Sequence, residues 1–293
     1  MPIRDMQASD INEFWEMISP FGSVLGSMGS PLCRGQLLKS GDEEWRLTPK
    51  IFRKDVIDYA KRGQSDFSYV DHLVFHEHSH LLDFLSSCDD SGLQIPFDCT
   101  AFRSLMNFNE FTSKYSVDTE GWPHPDAYHF LALAQHHGVP TRLLDWSYSP
   151  YVASYFAASQ ALDRYARNSL NKEDVVVWVV DTKQFWKEKN IEVVKVPGSV
   201  SLNLAAQRGV FLLGSDGRAK TRNEMVESIF LDEIFEESMV DLYKLILPAR
   251  FVGDLFERCL RMGFSAAMLF PGFDGAAKAA VEFQIYKRYA GRL

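Results

Sequence analysis

A run of β-branched residues in the second half of the chain is the feature that most constrains its fold. Residues 175–180 read VVVWVV, without polar alternation. A continuous apolar run of this length predicts a strand buried on both faces. Residues 209–213 (GVFLL), 241–247 (DLYKLIL) and 265–270 (SAAMLF) predict further strands in the same half. A sheet of such strands needs helices to cover it.

The first half of the chain has apolar residues spaced for helices. Residues 66–88, 99–115 and 126–137 follow the period of a helix with one buried face. Residues 151–167 and 274–290 predict two more helices. Because helices dominate the first half and strands gather in the second, we predict an α+β fold. Its helical N-terminal half would pack on a central sheet.

Composition and charge narrow the class of protein. No linker-like segment divides the 293 residues, so we predict one domain over residues 1–293. The net charge of −8 does not favour nucleic acid as a partner of the whole molecule. No apolar run reaches the length of a membrane span, the first residues lack a signal-peptide pattern, and the four cysteines lack C-x-x-C spacing. We therefore expect a cytoplasmic protein that does not bind membranes.

Residues 76–80, HEHSH, match the H-E-x-x-H signature of zinc peptidases. On a helix, His76 and His80 would lie one turn apart, and Glu77 could orient a metal-bound water. The extended signature that supplies a third ligand is not followed, although a downstream acid such as Glu110 could complete the set. We expect no metal and keep a zinc hydrolase as the second alternative function.

Residues 134–158, AQHHGVPTRLLDWSYSPYVASYFAA, carry more specialised side chains than a turn requires. Two histidines end a helix, a Gly-Val-Pro exit follows, and Arg142, Asp145 and Trp146 form a polar and aromatic corner. A serine can then cap a helix that begins at Pro150. Loops held by a rigid scaffold often carry function, so this segment is the strongest candidate for a site.

The segment strongly resembles the hallmark of the FRG domain family, a QH-x-G-x-PTRLLDW run followed by an Ala- and aromatic-rich helix. The family's Phe-Arg-Gly-Gln motif has Cys33 in place of Phe, followed by Arg34, Gly35 and Gln36. Further family blocks are similar to residues 45–53 (WRLTPKIFR), 206–211 (AQRGVF) and 269–275 (LFPGFDG). The resemblance spans about residues 30–280. It leaves the zinc signature in a segment that varies within the family.

The order of these motifs is similar to that of ADP-ribosyltransferases, which bind NAD in the cleft of a split sheet. The resemblance implies a central split mixed or antiparallel sheet, NAD as a substrate, and a protein, nucleic acid or water as acceptor. It aligns Arg34 and Gly35 with the first transferase motif, Ser147 and Ser149 with the second, and Gln207 with the third. Because the family is frequent in bacteria and phages, it also suggests a role in toxicity or phage defence.

The resemblance gives each motif a role in binding NAD. Arg34 would hold a diphosphate or ribose through its forked donors, and Gly35 would let the ligand approach the backbone. The nicotinamide side would lie near the two serines, with Tyr151 or Trp146 as the stacking aromatic. The NAD-binding candidates are Arg34, Gly35, Gln36, Arg142, Trp146, Ser147, Ser149, Tyr151 and Phe211. The catalytic candidates are Arg34, Gln207, His136 and Asp145.

Gln207 departs from the transferases, because it stands in the position of their glutamate. A carboxylate there would stabilise the positive charge that develops as the nicotinamide bond breaks, and an amide does so more weakly. Either another acid serves (Glu224, Glu227, Asp145 and Glu282 are candidates), or the domain binds nucleotides without fast catalysis. We predict an enzyme that transfers ADP-ribose or cleaves NAD. The first alternative is a non-catalytic nucleotide-sensing or protein-interaction domain.

Three candidate side chains also have purely structural interpretations. Arg34 could pair with Asp145 in the interior, and Gln207 could satisfy backbone groups. His136 could cap the C-terminus of a helix, where a cation is favoured. A thiol nucleophile, Cys33 acting with His136 or His137, is a weaker alternative.

Overall fold

The computed structural model describes residues 3–38, 46–60, 69–116, 119, 121–167, 173–215 and 230–291. These residues form helices around a mixed sheet, which confirms the predicted α+β class. The strands are β1 (Ile3–Gln7), β2 (Pro31–Leu38), β3 (Leu143–Ser147), β4 (Asp174–Asp181), β5 (Ile191–Val194), β6 (Gly209–Gly214) and β7 (Leu242–Leu247).

The predicted VVVWVV strand is β4, and it is buried as expected. The order of strands in the sheet is β1-β7-β4-β2-β3-β6-β5. Strand β1 runs parallel to β7, and every other pair of neighbours is antiparallel. Because β4 pairs on both edges and is covered on both faces, polar alternation would leave side chains in the interior unsatisfied.

Strands β2 and β3 are joined at a single position. Their register contains only the pair Cys33 and Ser147, whereas β2 pairs with β4 over residues 31–38. On the other side, β3 pairs with β6 over residues 143–147. The sheet therefore consists of two well-paired halves that diverge between β2 and β3, in agreement with the predicted central split.

Helices cover both faces of the sheet. They are α1 (Ile11–Met17), α2 (Lys54–Ala60), α3 (Tyr69–Asp90), α4 (Thr100–Met106), α5 (Phe108–Tyr115), α6 (Tyr128–His136), α7 (Pro150–Arg167), α8 (Leu202–Ala206), α9 (Leu231–Glu237), α10 (Val252–Arg261), α11 (Ala266–Leu269) and α12 (Phe273–Ala290). Val175, Val177 and Val179 pack with α1, α7 and α10–α12. Val176 and Val180 pack on the opposite face with α2 and α9.

The N-terminal helices α3–α6 form a third apolar cluster, which includes Leu143 of β3 and Phe211 and Leu213 of β6. The half of the sheet beyond the split is thus covered by the helical first half of the chain, as predicted. This arrangement places the end of α6 and the start of β3 next to the split.

Two sequence predictions about elements are wrong. Residues 265–270 form the short helix α11 and not a strand, because the two alanines and the leucine in AAML favour a helix as strongly as their apolar run favours a strand. Residues 99–115 form two helices and not one. Asn107 separates them, because its side chain accepts the backbone N–H groups of Asn109 and Glu110 and so caps α5. The polar run at 215–226 (SDGRAKTRNEMV) predicts a surface loop from the sequence, and apart from Ser215 it lies outside the described residues.

Gly35 allows α7 to lie directly on β2. A Cβ atom at Gly35 would stand 1.7 Å from the carbonyl oxygen of Ala153 and 3.1 Å from the Cβ of Ala157. The missing side chain therefore makes room for the helix. Small residues on α7 complete this close contact between helix and strand.

We predict that Gly35→Ala lowers the free energy of unfolding by about 3 kcal/mol, because the added methyl group must displace α7 from β2. Urea unfolding followed by circular dichroism measures the change. Gly198→Ala is the matched control, since its added Cβ meets only Ala205 Cβ at 3.2 Å. Equal losses in the two variants would contradict the role of Gly35 in this contact.

Candidate functional site

A cavity of about 370 Å³ opens at the split of the sheet. Its volume falls within the range of small-molecule sites. Its walls come from β2, β3, the end of α6, the start of α7 and segments close to α8 and α11. The lining residues are Cys33, Arg34, Gly35, Arg53, Gln135, His136, Asp145, Trp146, Ser147, Val152, Ala153, Phe156, Gln160, Asn203, Gln207 and Phe270. All four catalytic candidates from the sequence are therefore brought together.

Arg34 bridges the two halves of the sheet. Its Nη1 donates to the main-chain oxygen of Asp145 at 2.7 Å, and its Nε lies 3.4 Å from Gln36 Oε1. Burial lowers the pKa of Arg34 to about 10, Asp145 opposes this shift, and Arg53 adds to it. The guanidinium group thus stays cationic at neutral pH. Because Arg53 also lines the cavity, two guanidinium groups face the same space.

Asp145 presents a carboxylate to the cavity in a fixed orientation. Its Oδ1 accepts from Gln135 Nε2 at 2.7 Å, and the side-chain oxygen Oε1 of Gln135 accepts from the hydroxyl of Thr141. The predicted pairing of Arg34 with this residue is made through its main chain, which leaves the carboxylate available. Asp145 is the only acidic residue among the lining residues that the structure describes.

His136 is the last residue of α6 and lines the cavity with a part-buried ring. Burial lowers its pKa, the nearby Asp145 raises it, and His137 lowers it further. Burial, the largest of these effects, favours the neutral imidazole over a cationic helix cap. Its Nε2 is buried and has no hydrogen-bond partner among the described residues.

Gln207 and Ser147 make structural hydrogen bonds at the rim of the cavity. Gln207 Nε2 donates to the main-chain oxygen of Leu269 at 3.1 Å, so the structural interpretation of this amide is observed. Ser147 Oγ donates to the main-chain oxygen of Gln207 at 2.7 Å and accepts from the N–H of Ser149 at 2.9 Å. These bonds connect β3 to the segment before β6 and to the start of α7.

Five predicted ligand-binding residues do not line the cavity. Gln36 is buried on β2, and Ser149 Oγ accepts the N–H of Val152 at 3.4 Å, as expected of a cap on α7. Tyr151 stacks on Trp15 at a centroid distance of 5.1 Å and is not available to stack on a ligand here. Phe211 is fully buried among α3–α6. The fifth is Arg142.

Arg142 forms a buried ion pair with Glu77 of the zinc signature. Arg142 Nε lies 2.5 Å from Glu77 Oε2, and its backbone N–H donates to Oε1 at 2.7 Å. Trp122 Nε1 also donates to Oε2, at 2.8 Å. Both carboxylate oxygens of Glu77 are thus bonded to Arg142 or Trp122. Glu77 therefore cannot orient a metal-bound water. Arg142 anchors the start of β3, which corrects its prediction as a ligand-binding residue.

The remaining acids and the thiol have other surroundings. Glu282 of α12 accepts from Tyr155 Oη at 2.7 Å and from Ser159 Oγ at 2.6 Å, away from the cavity lining. Glu224 and Glu227 lie outside the described residues. Cys33 lines the cavity, but burial raises the pKa of its thiol well above the ordinary value. A protonated thiol is a poor nucleophile, which disfavours the cysteine alternative.

Sequence reasoning missed several residues of the cavity. Arg53 and Gln135 stand inside motifs that were used only to establish the resemblance. The signal was present, because arginine and amide side chains commonly bind ligands. Phe270 stands in the LFPGFDG block, which was used in the same way. Gln160 and Asn203 carried no signal, because their distance along the chain hides their proximity to β2. Only the fold brings them to the split.

The comparisons with known proteins identify one domain. The family model of the FRG domain matches residues 33–166. Searches of curated proteins and of solved structures found no match. The matched range contains the cavity walls from β2, α6, β3 and α7, whereas Asn203, Gln207 and Phe270 lie beyond it. No helix in the described ranges is long and apolar enough to cross a membrane.

We predict that Glu77→Gln lowers the free energy of unfolding by about 3–5 kcal/mol, because it leaves Arg142 buried without a counter-charge. Asp163→Asn is the matched control. It breaks an ion pair with Arg167 whose side chains are 76% and 55% exposed, so its loss should stay below about 1 kcal/mol. Urea unfolding at pH 7 measures both. A loss in Glu77→Gln no larger than in the control would contradict the structural role of this pair.

Proposed function

We propose that the FRG domain, which the chain carries over residues 33–166, binds NAD in the cavity at the split and transfers its ADP-ribose or cleaves it. The observation that carries this proposal is that cationic side chains and an acidic side chain line one cavity. Two arginines, Arg34 and Arg53, line the same cavity as one oriented carboxylate, Asp145. The arginines suit a ligand with an anionic diphosphate, and the carboxylate suits a reacting centre that becomes positive.

The two arginines would hold the diphosphate. Guanidinium groups bind phosphate oxygens through paired N–H donors and remain charged. Arg34 and Arg53 repel each other in the free protein, since Arg53 lowers the pKa of Arg34. An anion between them would relieve this repulsion. The main-chain bond from Arg34 to Asp145 would keep the guanidinium in position before the ligand enters.

Asp145 would act at the ribose. In the reaction, the bond between ribose C1′ and the nicotinamide nitrogen breaks, and its electron pair leaves with nicotinamide. An acceptor oxygen or nitrogen then bonds to C1′ and loses its proton. The carboxylate of Asp145, oriented by Gln135, would stabilise the positive charge on the ribose. The neutral His136 lines the same cavity and could take the acceptor's proton.

A second candidate function is nucleotide binding without turnover, as in a sensing or interaction domain. It is favoured by Gln207, a neutral amide whose N–H group is already bonded to Leu269. On this alternative the arginines would bind a nucleotide and Asp145 would only position it. Protein, nucleic acid and water are the acceptors to consider if turnover occurs.

We predict that the purified protein binds NAD and consumes it, and that two variants separate these steps. Arg34→Ala should weaken NAD binding at least about tenfold, because it removes a charge-assisted contact to phosphate. Asp145→Asn should leave binding within about threefold and lower turnover about 100-fold, because an amide stabilises the developing charge poorly. Calorimetry measures binding, and chromatographic detection of nicotinamide measures turnover.

Arg261→Ala is the matched control, because this arginine is 77% exposed and pairs with Glu257 on the surface of α10. It should change neither quantity. Binding without nicotinamide release in the wild type would support the second candidate function. No binding of NAD by the wild type would overturn both.

A further inference from the structure

The two histidines of the zinc signature meet on the surface of α3. His76 and His80 are four residues apart, and their Nε2 atoms lie 3.1 Å from each other. Their ring centroids are 4.4 Å apart. Both side chains are part-buried, so each keeps contact with solvent. This placement follows from helical geometry, which stacks residues i and i+4 on one face.

The separation of the two nitrogens fits two ligands of one metal ion. Zinc binds imidazole nitrogen at about 2.0–2.1 Å. At such bond lengths, nitrogens 3.1 Å apart subtend an angle of roughly 100° at the metal. This angle lies between those of square-planar and tetrahedral coordination. Imidazole is a preferred ligand of zinc, nickel and copper, which adopt these geometries.

We propose that His76 and His80 chelate a divalent transition metal ion of the zinc, nickel and copper class. Asp83 lies about one turn beyond His80 on α3. In the described part of the chain, no group of three or more His, Cys, Asp or Glu side chains could hold a metal. From the described residues the ion would therefore have two protein ligands, and water would complete its coordination.

This site differs from a zinc peptidase centre in its chemistry. A peptidase needs a glutamate that activates the metal-bound water. Here Glu77 is bonded to Arg142 and Trp122 in the interior. The two histidines lie on the part-exposed face of the same helix. The signature thus combines a surface chelate with a structural ion pair, and this inference is independent of NAD binding.

Calorimetric titration of the chelator-treated full chain with Zn²⁺, Ni²⁺ and Cu²⁺ tests the proposal. We expect one ion per chain, bound most tightly for Cu²⁺. Loss of even an outer partner of a metal ligand costs about tenfold or more in affinity, so His76→Gln and His80→Gln should each weaken binding at least that much. His124→Gln is the matched control, since its side chain is 38% exposed and lies near Asp126.

Two further measurements separate loss of metal binding from loss of folding and identify the ligand atoms. Circular dichroism establishes that each variant is folded, and the Cu²⁺ absorption spectrum reports nitrogen ligands in the wild type. Binding by His76→Gln/His80→Gln with wild-type affinity would overturn the proposal, as would the absence of binding by the wild type at millimolar metal. Loss of binding in His124→Gln would assign the ion to a different histidine and would also overturn it.

Discussion

The hydrogen bond from Arg34 to the main chain of Asp145 spans the one place where the sheet is not held by a ladder. Strands β2 and β3 share a single register position, Cys33 with Ser147. Beyond it, the backbone groups of the two strands no longer face each other, and a side chain replaces them. At 2.7 Å, with a charged donor, this bond is among the stronger kinds in proteins. The cavity opens where the strands diverge, and the Arg34 side chain spans from β2 to the main chain of β3 there.

Each wall of the cavity is anchored separately from the other. On one side, Gly35 lets α7 lie against β2, which fixes the helix at the distance of a direct backbone contact. On the other side, the buried pair of Glu77 and Arg142 ties the start of β3 to α3. A buried ion pair is weak as a source of stability but strict in its geometry. The two walls are therefore rigid on their outer sides, and the polar groups between them are held in place before a ligand binds.

The sequence predicted the elements whose patterns are strong and local. The VVVWVV run predicted β4, and the cap and proline before residue 151 predicted the start of α7. Strand β3 was missed because Asp145 and the preceding Arg142 make its five residues look like a polar corner. The partner of Arg142 could not be predicted, since Glu77 lies 65 residues earlier and the signature around it indicated another chemistry. The cavity itself depends on long-range pairing, which no local pattern of apolar residues contains.

For the proposed reaction, the placement of charge in the cavity bears on the alignment of the neutral Gln207 with the glutamate of the transferases. That reaction would require a negative group near the ribose, and it would not require that group to come from a given strand. Asp145 enters the cavity from β3, and Gln207 enters from the segment before β6, which pairs with β3. A carboxylate on β3 therefore occupies the same cavity as one at position 207 would. It also frees the amide of Gln207 to bond the main chain of Leu269 and so to hold α11 against the rim. In the proposed enzyme, Asp145 would supply the charge at the ribose and Gln207 would hold the rim, two roles that one glutamate would otherwise combine.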